Sequence, residues 1–265
     1  MKGLAAICLL LLLAWPAAAG SLEFALGGGP TAVALVEINA DVDRVNAIIR
    51  HVNETLALLP NVEGQVPEAE RLGGGICLEA AERYRPNDWL GIGGRLSYAR
   101  SASEMSGEYL STDTSEISTV EMDLDLVAVG VLLDMTFDFL DAGIILGGGL
   151  SAGYYFVGLS HTSLFEIPQE YPEALSGLPP DAQTQYSGGG FGLEASLSVS
   201  IPIFSGFSIE TAVAYRYAQA TLADGSGQHP DLDGNGPVDG TDLSGMTVRI
   251  GFSLDVGIPG SDEKE

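Results

Sequence analysis

A strict alternation of apolar with small or polar residues, at a period of two, constrains the fold of this chain more than any other feature. In FGLEASLSVSIPIF, residues 191–204, the odd-numbered positions are apolar and the even-numbered ones are mostly Gly, Ser or Glu. The alternation recurs in FSIETAVAYRYAQAT from Phe207 and in MTVRIGFSLDV from Met246. A period of two over this length indicates β-strands whose two faces meet different surroundings.

Eight such runs predict an all-β fold, an eight-stranded antiparallel up-and-down transmembrane β-barrel. The predicted strands cover residues 21–37, 72–84, 88–102, 117–139, 142–161, 186–204, 206–222 and 245–258. Tight turns alternate with long connections between them, which is the habit of transmembrane barrels. Within the fourth run the apolar positions are even-numbered up to Leu126 and odd-numbered from Val127, so either a bulge intervenes or both faces are apolar.

One connection carries a helical pattern instead. Val42, Val45, Ile49 and Val52 recur at helical spacing, and they predict an amphipathic helix over about residues 39–60, in the first long loop. Asn39 or Asp41 is the expected N-cap. The apolar face of this helix could cap the barrel or lie on a membrane surface.

The two ends of the chain differ from the middle. A basic start, an apolar run and an A-x-A site predict a secretory signal peptide over residues 1–19, followed by a barrel domain over residues 20–258 and an acidic tail over residues 259–265. After cleavage one cysteine, Cys77, remains, so we expect no internal disulfide. The formal net charge of -25 excludes nucleic acid as a partner and favours divalent cations.

The face opposite the apolar one is mainly Gly, Ala and Ser, which suits a crowded barrel interior better than a water-exposed surface. Charged residues of both signs fall on that face, and buried charges must be paired. We therefore expect a closed, charge-filled interior, with the alternative that some of these residues lie beyond the rim in water. The residues concerned are Glu23, Glu79, Glu194, Glu210, Arg83, Arg95, Arg216 and Arg249.

The last run, RIGFSLDV, has a polar residue, a glycine two positions on and two late hydrophobics, at Arg249, Gly251, Leu254 and Val256. With the strand pattern, this resembles the small outer-membrane β-barrels of Gram-negative bacteria, of the OmpA-like and opacity-protein type. The resemblance implies outer-membrane lipid around the barrel, barrel-assembly machinery as a partner during biogenesis, and a structural or adhesive role towards an extracellular ligand. The chain departs from the family by continuing as GIPGSDEKE where the family ends in an aromatic residue.

An Asp-rich loop over residues 229–245 has the spacing of a calcium loop. Gly236 permits the sharp turn, and oxygen ligands fall at positions 1, 3, 5, 7, 9 and 12, where the seventh is a backbone carbonyl. These residues are Asp231, Asp233, Asn235, Pro237, Asp239 and Asp242. The stretch resembles thrombospondin type 3 repeats and dockerin loops, which predicts a weak Ca²⁺ site. The alternative is a solvated acidic turn.

Other function classes remain open at this point. A small porin or channel would have the same strands, and so would a secreted soluble β-barrel that binds a ligand. A lipid-modifying barrel enzyme is disfavoured because His161 and Ser160 are neighbours on a strand and point to opposite faces. His51 is expected on the helix surface, and Cys77 as a buried space-filler. We therefore predict no catalytic residues.

Overall fold

A computed structural model describes residues 20–141, 143–166, 181–233, 236–238 and 240–257. The predicted signal peptide and the acidic tail lie outside these residues. One helix, α1, covers Val36–Leu56. The strands are β1 Ser21–Ala32, β2 Val62–Gln65, β3 Gly74–Asn87, β4 Leu90–Ser111, β5 Ile117–Asp141, β6 Ile145–Phe165, β7 Ala182–Phe204, β8 Phe207–Ala223, β9 Thr241–Asp242 and β10 Gly245–Gly257.

Eight of the strands form a closed antiparallel ring in sequence order. β1, β3, β4, β5, β6, β7 and β8 each pair with the next, and β10 closes the ring by pairing with both β8 and β1. A hydrogen-bonded row followed around the ring from Asp255 returns to Gly245 on the same strand, an offset of 10 residues from position 255 to position 245. Such an offset requires strands tilted by about 40° to the barrel axis.

The connections define two ends of the barrel. At the turn end the chain reverses between β3 and β4, between β5 and β6, and between β7 and β8, where Gly206 has a φ of 77° that favours glycine. At the loop end lie the long connections, including α1. Aromatic residues flank the short turns, and Trp89, Phe139 and Phe204 are all exposed there.

Around the turn-end half, the outward face is almost wholly apolar. Leu133, Phe191 and Leu197 are each about 70% exposed or more. A continuous apolar surface of this kind is rare on proteins surrounded by water. Outward residues of this kind run over Leu90–Tyr98 on β4 and over Phe191–Ile203 on β7. At about 2.5 Å of axial rise per tilted residue, the band is roughly 20 to 30 Å tall, the thickness of a membrane's hydrocarbon. The predicted eight-stranded up-and-down transmembrane β-barrel is therefore confirmed.

The polarity of the two faces inverts half-way along β5. Even-numbered residues point inward from Ser118 to Asp134 without interruption, and the pairing with β4 and β6 is continuous through Leu126 and Val127. Of the two alternatives, the bulge is wrong at this point and the strand has two apolar faces. Towards the turn end the outward face meets lipid, whereas towards the loop end the inward face packs in a core and the outward face carries Glu121 and Asp123.

Four neighbouring strands, β4 to β7, extend far beyond the apolar band, while β1, β3, β8 and β10 end lower. The prediction missed this extension of β4 to Ser111, because the reversal of polarity hides the alternation. It also placed residues 33–37 in the first strand, whereas β1 ends at Ala32 and the chain turns inward. The short strands β2 and β9 were not predicted; β2 pairs with the upper part of β4.

α1 occupies the gap left by the shorter strands, with its apolar face inside the barrel. Of the two placements predicted for the helix, the cap is therefore the observed one. The helix spans Val36–Leu56 rather than residues 39–60, and the predicted N-caps are wrong. Leu35 precedes it in a left-handed conformation with no side-chain cap, while Asn39 binds backbone outside the helix and Asp41 lies within the helix. No helix that the structure describes is both long and apolar enough to cross a membrane.

Candidate functional site: a charged interior under a docked helix

The turn-end half of the barrel interior is filled by one connected network of ion pairs. Arg83 contacts Glu23 and Asp134, both at 2.6 Å, and Arg85 links Glu23 to Asp138. These side chains come from β1, β3 and β5, so the network crosses the barrel from wall to wall. The pairing explains how such charges are tolerated away from water.

Arg95 continues the network around the axis. Its guanidinium lies 2.8 Å from Glu194, 3.1 Å from Glu79 and 3.8 Å from Asp134. Arg249 of β10 contacts Glu79 and lies 3.3 Å from Glu194, so each of these two carboxylates is shared by two arginines. Every strand on which the alternation placed an inward charge thus contributes that charge to the interior, as predicted.

Ser151 and Arg216 complete this layer. Ser151 Oγ donates to Asp134 at 2.5 Å and accepts from Arg95 at 2.6 Å. Arg216 Nε donates to the carbonyl of Leu243 at 2.9 Å, and its guanidinium lies over the ring of Tyr155, 5.3 Å from the ring centroid. The remaining space beside Glu79, Arg83, Arg95, Glu210 and Arg249 is a cavity of about 40 Å³, which has room for a few water molecules.

Above this layer the interior becomes apolar and holds α1. Val42, Val45, Ile49 and Val52 are all buried, and they belong to one core with residues of β4, β5, β6, β7 and β8. The strand residues in this core include Met105, Tyr109, Met122, Leu124, Leu126, Leu159 and Leu222. His51 is exposed on the opposite face of the helix, as predicted.

Three asparagines spaced seven residues apart fasten α1 to the chain that follows it. Asn39 donates to the carbonyl of Leu72 at 2.6 Å, and Asn46 exchanges two hydrogen bonds with the backbone of Ala69, at 2.9 and 2.8 Å. Asn53 exchanges two with Val66, at 2.9 and 3.1 Å, and accepts a third from Tyr109. Residues 66–72 therefore run antiparallel to the helix. The asparagine side chains give hydrogen-bond partners to backbone groups of this segment that would otherwise have none.

The Asp-rich loop fastens the other side of the helix. Asp41, fully buried in α1, accepts a hydrogen bond from the backbone of Leu232 at 3.2 Å, and Arg44 contacts both Asp41 and Asp233. At the helix start, Ala34 N donates to the backbone carbonyl of Ser244 at 2.7 Å, and Leu35 N donates to the backbone carbonyl of Asp242 at 3.0 Å. Burial raises the pKa of Asp41 to about 6; the carboxylates of Asp233 and Asp231 add to the rise and the Leu232 N–H opposes it.

The structure places the predicted metal ligands as follows. Asp231 is partly buried, and its Oδ1 is fully buried without a hydrogen-bond partner in the described chain; Asp233 is buried beside Arg44. Asp242 accepts from Ser244 N at 2.8 Å, and Pro237 is exposed. Asn235 and Asp239 lie outside the described residues. Among the residues that are described, no three His, Cys, Asp or Glu side chains form a group that could hold a metal ion.

Two further groups bear on chemistry. His161 is 2% exposed inside the loop-end core, its two ring nitrogens have no hydrogen-bond partner within the described chain, and burial lowers its pKa. Ser160 points outward, so the two residues lie on opposite faces of β6, as predicted. Cys77 is buried on the inward face of β3, which fits a space-filling role. Asn39 and Asp41 were expected only as N-caps, and the contacts of Arg44, Asn46 and Asn53 were not predicted, although the Asn spacing of seven is visible in the sequence.

No family model matches the chain, and no curated protein matches it. Among solved structures, a major outer membrane protein from Thermus thermophilus has a TM-score of 0.44 at 10% identity, covering 89% of this chain and 99% of that one. The outer membrane protein OprG from Pseudomonas aeruginosa has a TM-score of 0.41 at 13% identity, covering 91% and 99%. Neisserial surface protein A has a TM-score of 0.35 at 11% identity, covering 92% and 100%.

Proposed function

We propose that this protein is a closed barrel of the outer membrane of a Gram-negative bacterium, with a structural or surface-interaction role. The observation that carries the proposal is the filled interior. An ion-pair network occupies the level of the apolar band, and α1 occupies the level above it. A barrel without a water-filled path has its outer surfaces, rather than its lumen, available for function.

The loop end supports a role at the cell surface. β4 to β7 rise above the apolar band, and many of their outward residues there are acidic or polar, including Glu104, Glu108, Glu121 and Asp123. The turn end has only short reversals, as the periplasmic side of such barrels does. We therefore assign the loop end to the exterior, where the extended wall would meet a ligand.

Two measurements test this proposal. We expect a heat-modifiable band shift in the outer-membrane fraction, and recovery of the folded protein in the soluble fraction without detergent would refute it. In planar bilayers we expect no steady conductance. A stable open-channel current that persists in the wild type would instead favour the porin alternative, and it would show that the helix leaves the interior.

A weak calcium site in the Asp-rich loop is a second part of the proposal. It is supported by the ligand spacing and by Asp231 Oδ1, a buried carboxylate oxygen without a hydrogen-bond partner in the described chain. Calcium would compete with Arg44 for Asp233, which is consistent with the weak affinity predicted from the sequence. Asp231 and Asp233 would supply carboxylate oxygens, Asn235 and Asp239 would add two more side chains, and Pro237 its carbonyl. Asp242 would have to leave its hydrogen bond with Ser244 N to join them, because the described carboxylates do not converge on one point.

Calorimetry tests the calcium site. Asp231→Ala and Asp233→Ala should each abolish the heat of Ca²⁺ binding, whereas Asp123→Asn, on the outward face of β5, should leave it unchanged. Equal binding by all variants would reject the loop as the site.

The absence of enzymatic activity stays a prediction. His161 has no hydrogen-bonded nucleophile, because its ring nitrogens have no partner in the described chain. Incubation with phospholipid vesicles and analysis of the lipid products would test it, and we expect no change in the lipids.

A further inference from the structure

A single charged side chain faces outward within the apolar band of the described strands. Alternation along β3 puts Glu79, Arg83 and Arg85 in the interior and Glu82 on the outside. Its neighbours on the same face of β3 are Ala80 and Tyr84. Among the described outward residues of the band on all eight strands, Glu82 is the one Asp, Glu, Lys, Arg or His.

Glu82 lies deep within the band. It is five residues from Asn87 at the turn end of β3 and four from Leu78, which is 57% exposed and pairs with Tyr98 at the loop-end edge of the band. At about 2.5 Å of axial rise per residue, these separations are about 12 Å and 10 Å. The carboxyl group is therefore near the middle of the apolar band, too far from either edge for a short side chain to reach water.

Nothing in the described part of the chain satisfies this carboxyl group. Within those residues Glu82 makes no ion pair and no side-chain hydrogen bond, in contrast to the paired acids of the interior. Its cross-strand neighbours on the outward face are Phe24 on β1 and Gly94 on β4. Ionisable residues that face hydrocarbon without a partner are costly, which makes them candidates for a functional contact.

The surface around Glu82 is shaped for close approach. A Cβ placed on Gly94 would meet only one backbone oxygen, at 3.9 Å, so the space outside Gly94 is open. With Ala80 this leaves a shallow recess beside the carboxyl group. Leu26, Leu78, Leu96 and Leu133 stand around it, 41 to 70% exposed. Small residues beside bulky ones allow two membrane surfaces to interdigitate.

We propose that the outward face of β1, β3 and β4 is the interface of a homodimer in which Glu82 pairs with Glu82 of a second copy. This inference rests on the proposed membrane location. Two copies inserted in the same direction are related by a two-fold axis along the membrane normal, which keeps each residue at its own depth.

That symmetry decides what Glu82 can meet. Within the band, which ends at Tyr98 on β4, the described outward residues include no Lys, Arg or His, and Arg100 just beyond that edge is paired with Asp125. A second copy therefore cannot offer an ion pair at the depth of Glu82. In its neutral form a carboxyl group donates one hydrogen bond and accepts others. A second Glu82 across the axis satisfies both at once, in a medium where no water competes.

The test measures association in vesicles of phosphatidylcholine, whose headgroup has no N–H donor. Full-length mature protein, labelled at its amino terminus with donor or acceptor, is reconstituted at decreasing protein-to-lipid ratios, and energy transfer is recorded. Glu82→Gln retains one donor and one acceptor and should still associate. Glu82→Leu should lower the association constant about 30-fold, the loss of two intramembrane hydrogen bonds of about 1 kcal/mol each.

Thr211→Leu is the matched control. Thr211 faces outward on β8, well away from the proposed interface, and its replacement should leave association unchanged. Flotation with the vesicles and the heat-modifiable band shift confirm insertion of every variant, so failure of the membrane proposal is distinguished from failure of the dimer. Monomers of the inserted wild type at all ratios would overturn the inference, as would unaltered association of Glu82→Leu. Repeating the measurement with phosphatidylethanolamine tests an ammonium headgroup as the occupant; loss of the dimer there would also overturn it.

Discussion

Replacing Arg95 with Met is the sharpest test of how the barrel interior is held together. The side chain of Arg95 is 2% exposed and contacts three carboxylates and the hydroxyl of Ser151. Met fills most of the volume but removes the charge, so the acids around it lose one of their arginines. Removing one partner from a buried ion pair destabilises proteins by about 3 to 5 kcal/mol.

The structure places the expected loss at the lower end of that range. Glu79 and Glu194 each keep Arg249, and Asp134 keeps Arg83, so no carboxylate becomes wholly unpaired. We therefore expect the free energy of unfolding to fall by about 3 kcal/mol. Arg100→Met is the control, because Arg100 lies on the same strand but pairs with Asp125 in the open, and an exposed pair contributes less than about 1 kcal/mol.

Urea unfolding in phosphatidylcholine vesicles provides the measurement. Trp89, at the turn end, is the one tryptophan of residues 20–265, so in protein prepared without residues 1–19 its fluorescence reports on the barrel and not on the loops. Equal losses for Arg95→Met and Arg100→Met would refute the reasoning, since the two variants differ only in burial and pairing. A loss below about 1 kcal/mol for Arg95→Met would show that the network is held weakly.

Three further predictions concern the docking of α1. In each the measured quantity is the protection of the helix amides from hydrogen exchange, which is the intrinsic exchange rate at each pH divided by the observed one. Asp41 has a folded pKa of about 6, above its ordinary 3.8, so the free energy of docking should weaken by about 2 kcal/mol as pH rises from about 4 to 6. Asp41→Asn should lose this dependence of docking on pH, and an unchanged dependence would contradict the assignment. His161 has a lowered pKa, so its contribution is complete above about pH 6.5 and is lost as pH falls below that value. His161→Leu should remove this loss and slow exchange at neutral pH, by about 1 to 2 kcal/mol, because two buried nitrogens no longer lack partners; faster exchange would count against it. Ile49→Ala should weaken docking by about 3 kcal/mol, while the exposed His51→Ala should change it by less than about 0.5 kcal/mol, and similar effects of the two would disprove the orientation of the helix.

The strands within the apolar band were predictable because each face there has one kind of surrounding. Lipid outside and a crowded polar interior give opposite demands on alternate residues, so Leu197 and Ser198 could be assigned to faces from the sequence alone. The inward placement of Arg83 and Glu194 followed from the same rule. Which arginine meets which carboxylate could not be predicted, because it depends on tilt and offset around the ring.

The loop end was harder to predict for a physical reason. Above the band the outer surroundings change from lipid to water and the interior changes from polar to apolar. The inward and outward positions therefore continue without a shift, but the apolar face changes from the outward to the inward one at Leu126 and Val127. Read locally, such a reversal is indistinguishable from a bulge. The start of α1 failed because Asn39 and Asp41 have the residue types of N-caps but are used in tertiary contacts.

The backbone bonds from Ala34 to Ser244 and from Leu35 to Asp242 have a consequence for the order of assembly. They continue, above the ends of β1 and β10, the seam along which the first and last strands meet, where Thr31 and Thr247 are 216 residues apart in the chain. α1 begins one residue later. The seam cannot form until the final strand is made, so the helix can reach its finished position only when the cylinder closes. Closure of the strand ring and docking of α1 in its loop end are then one kinetic event, and a substitution that slows either should delay both.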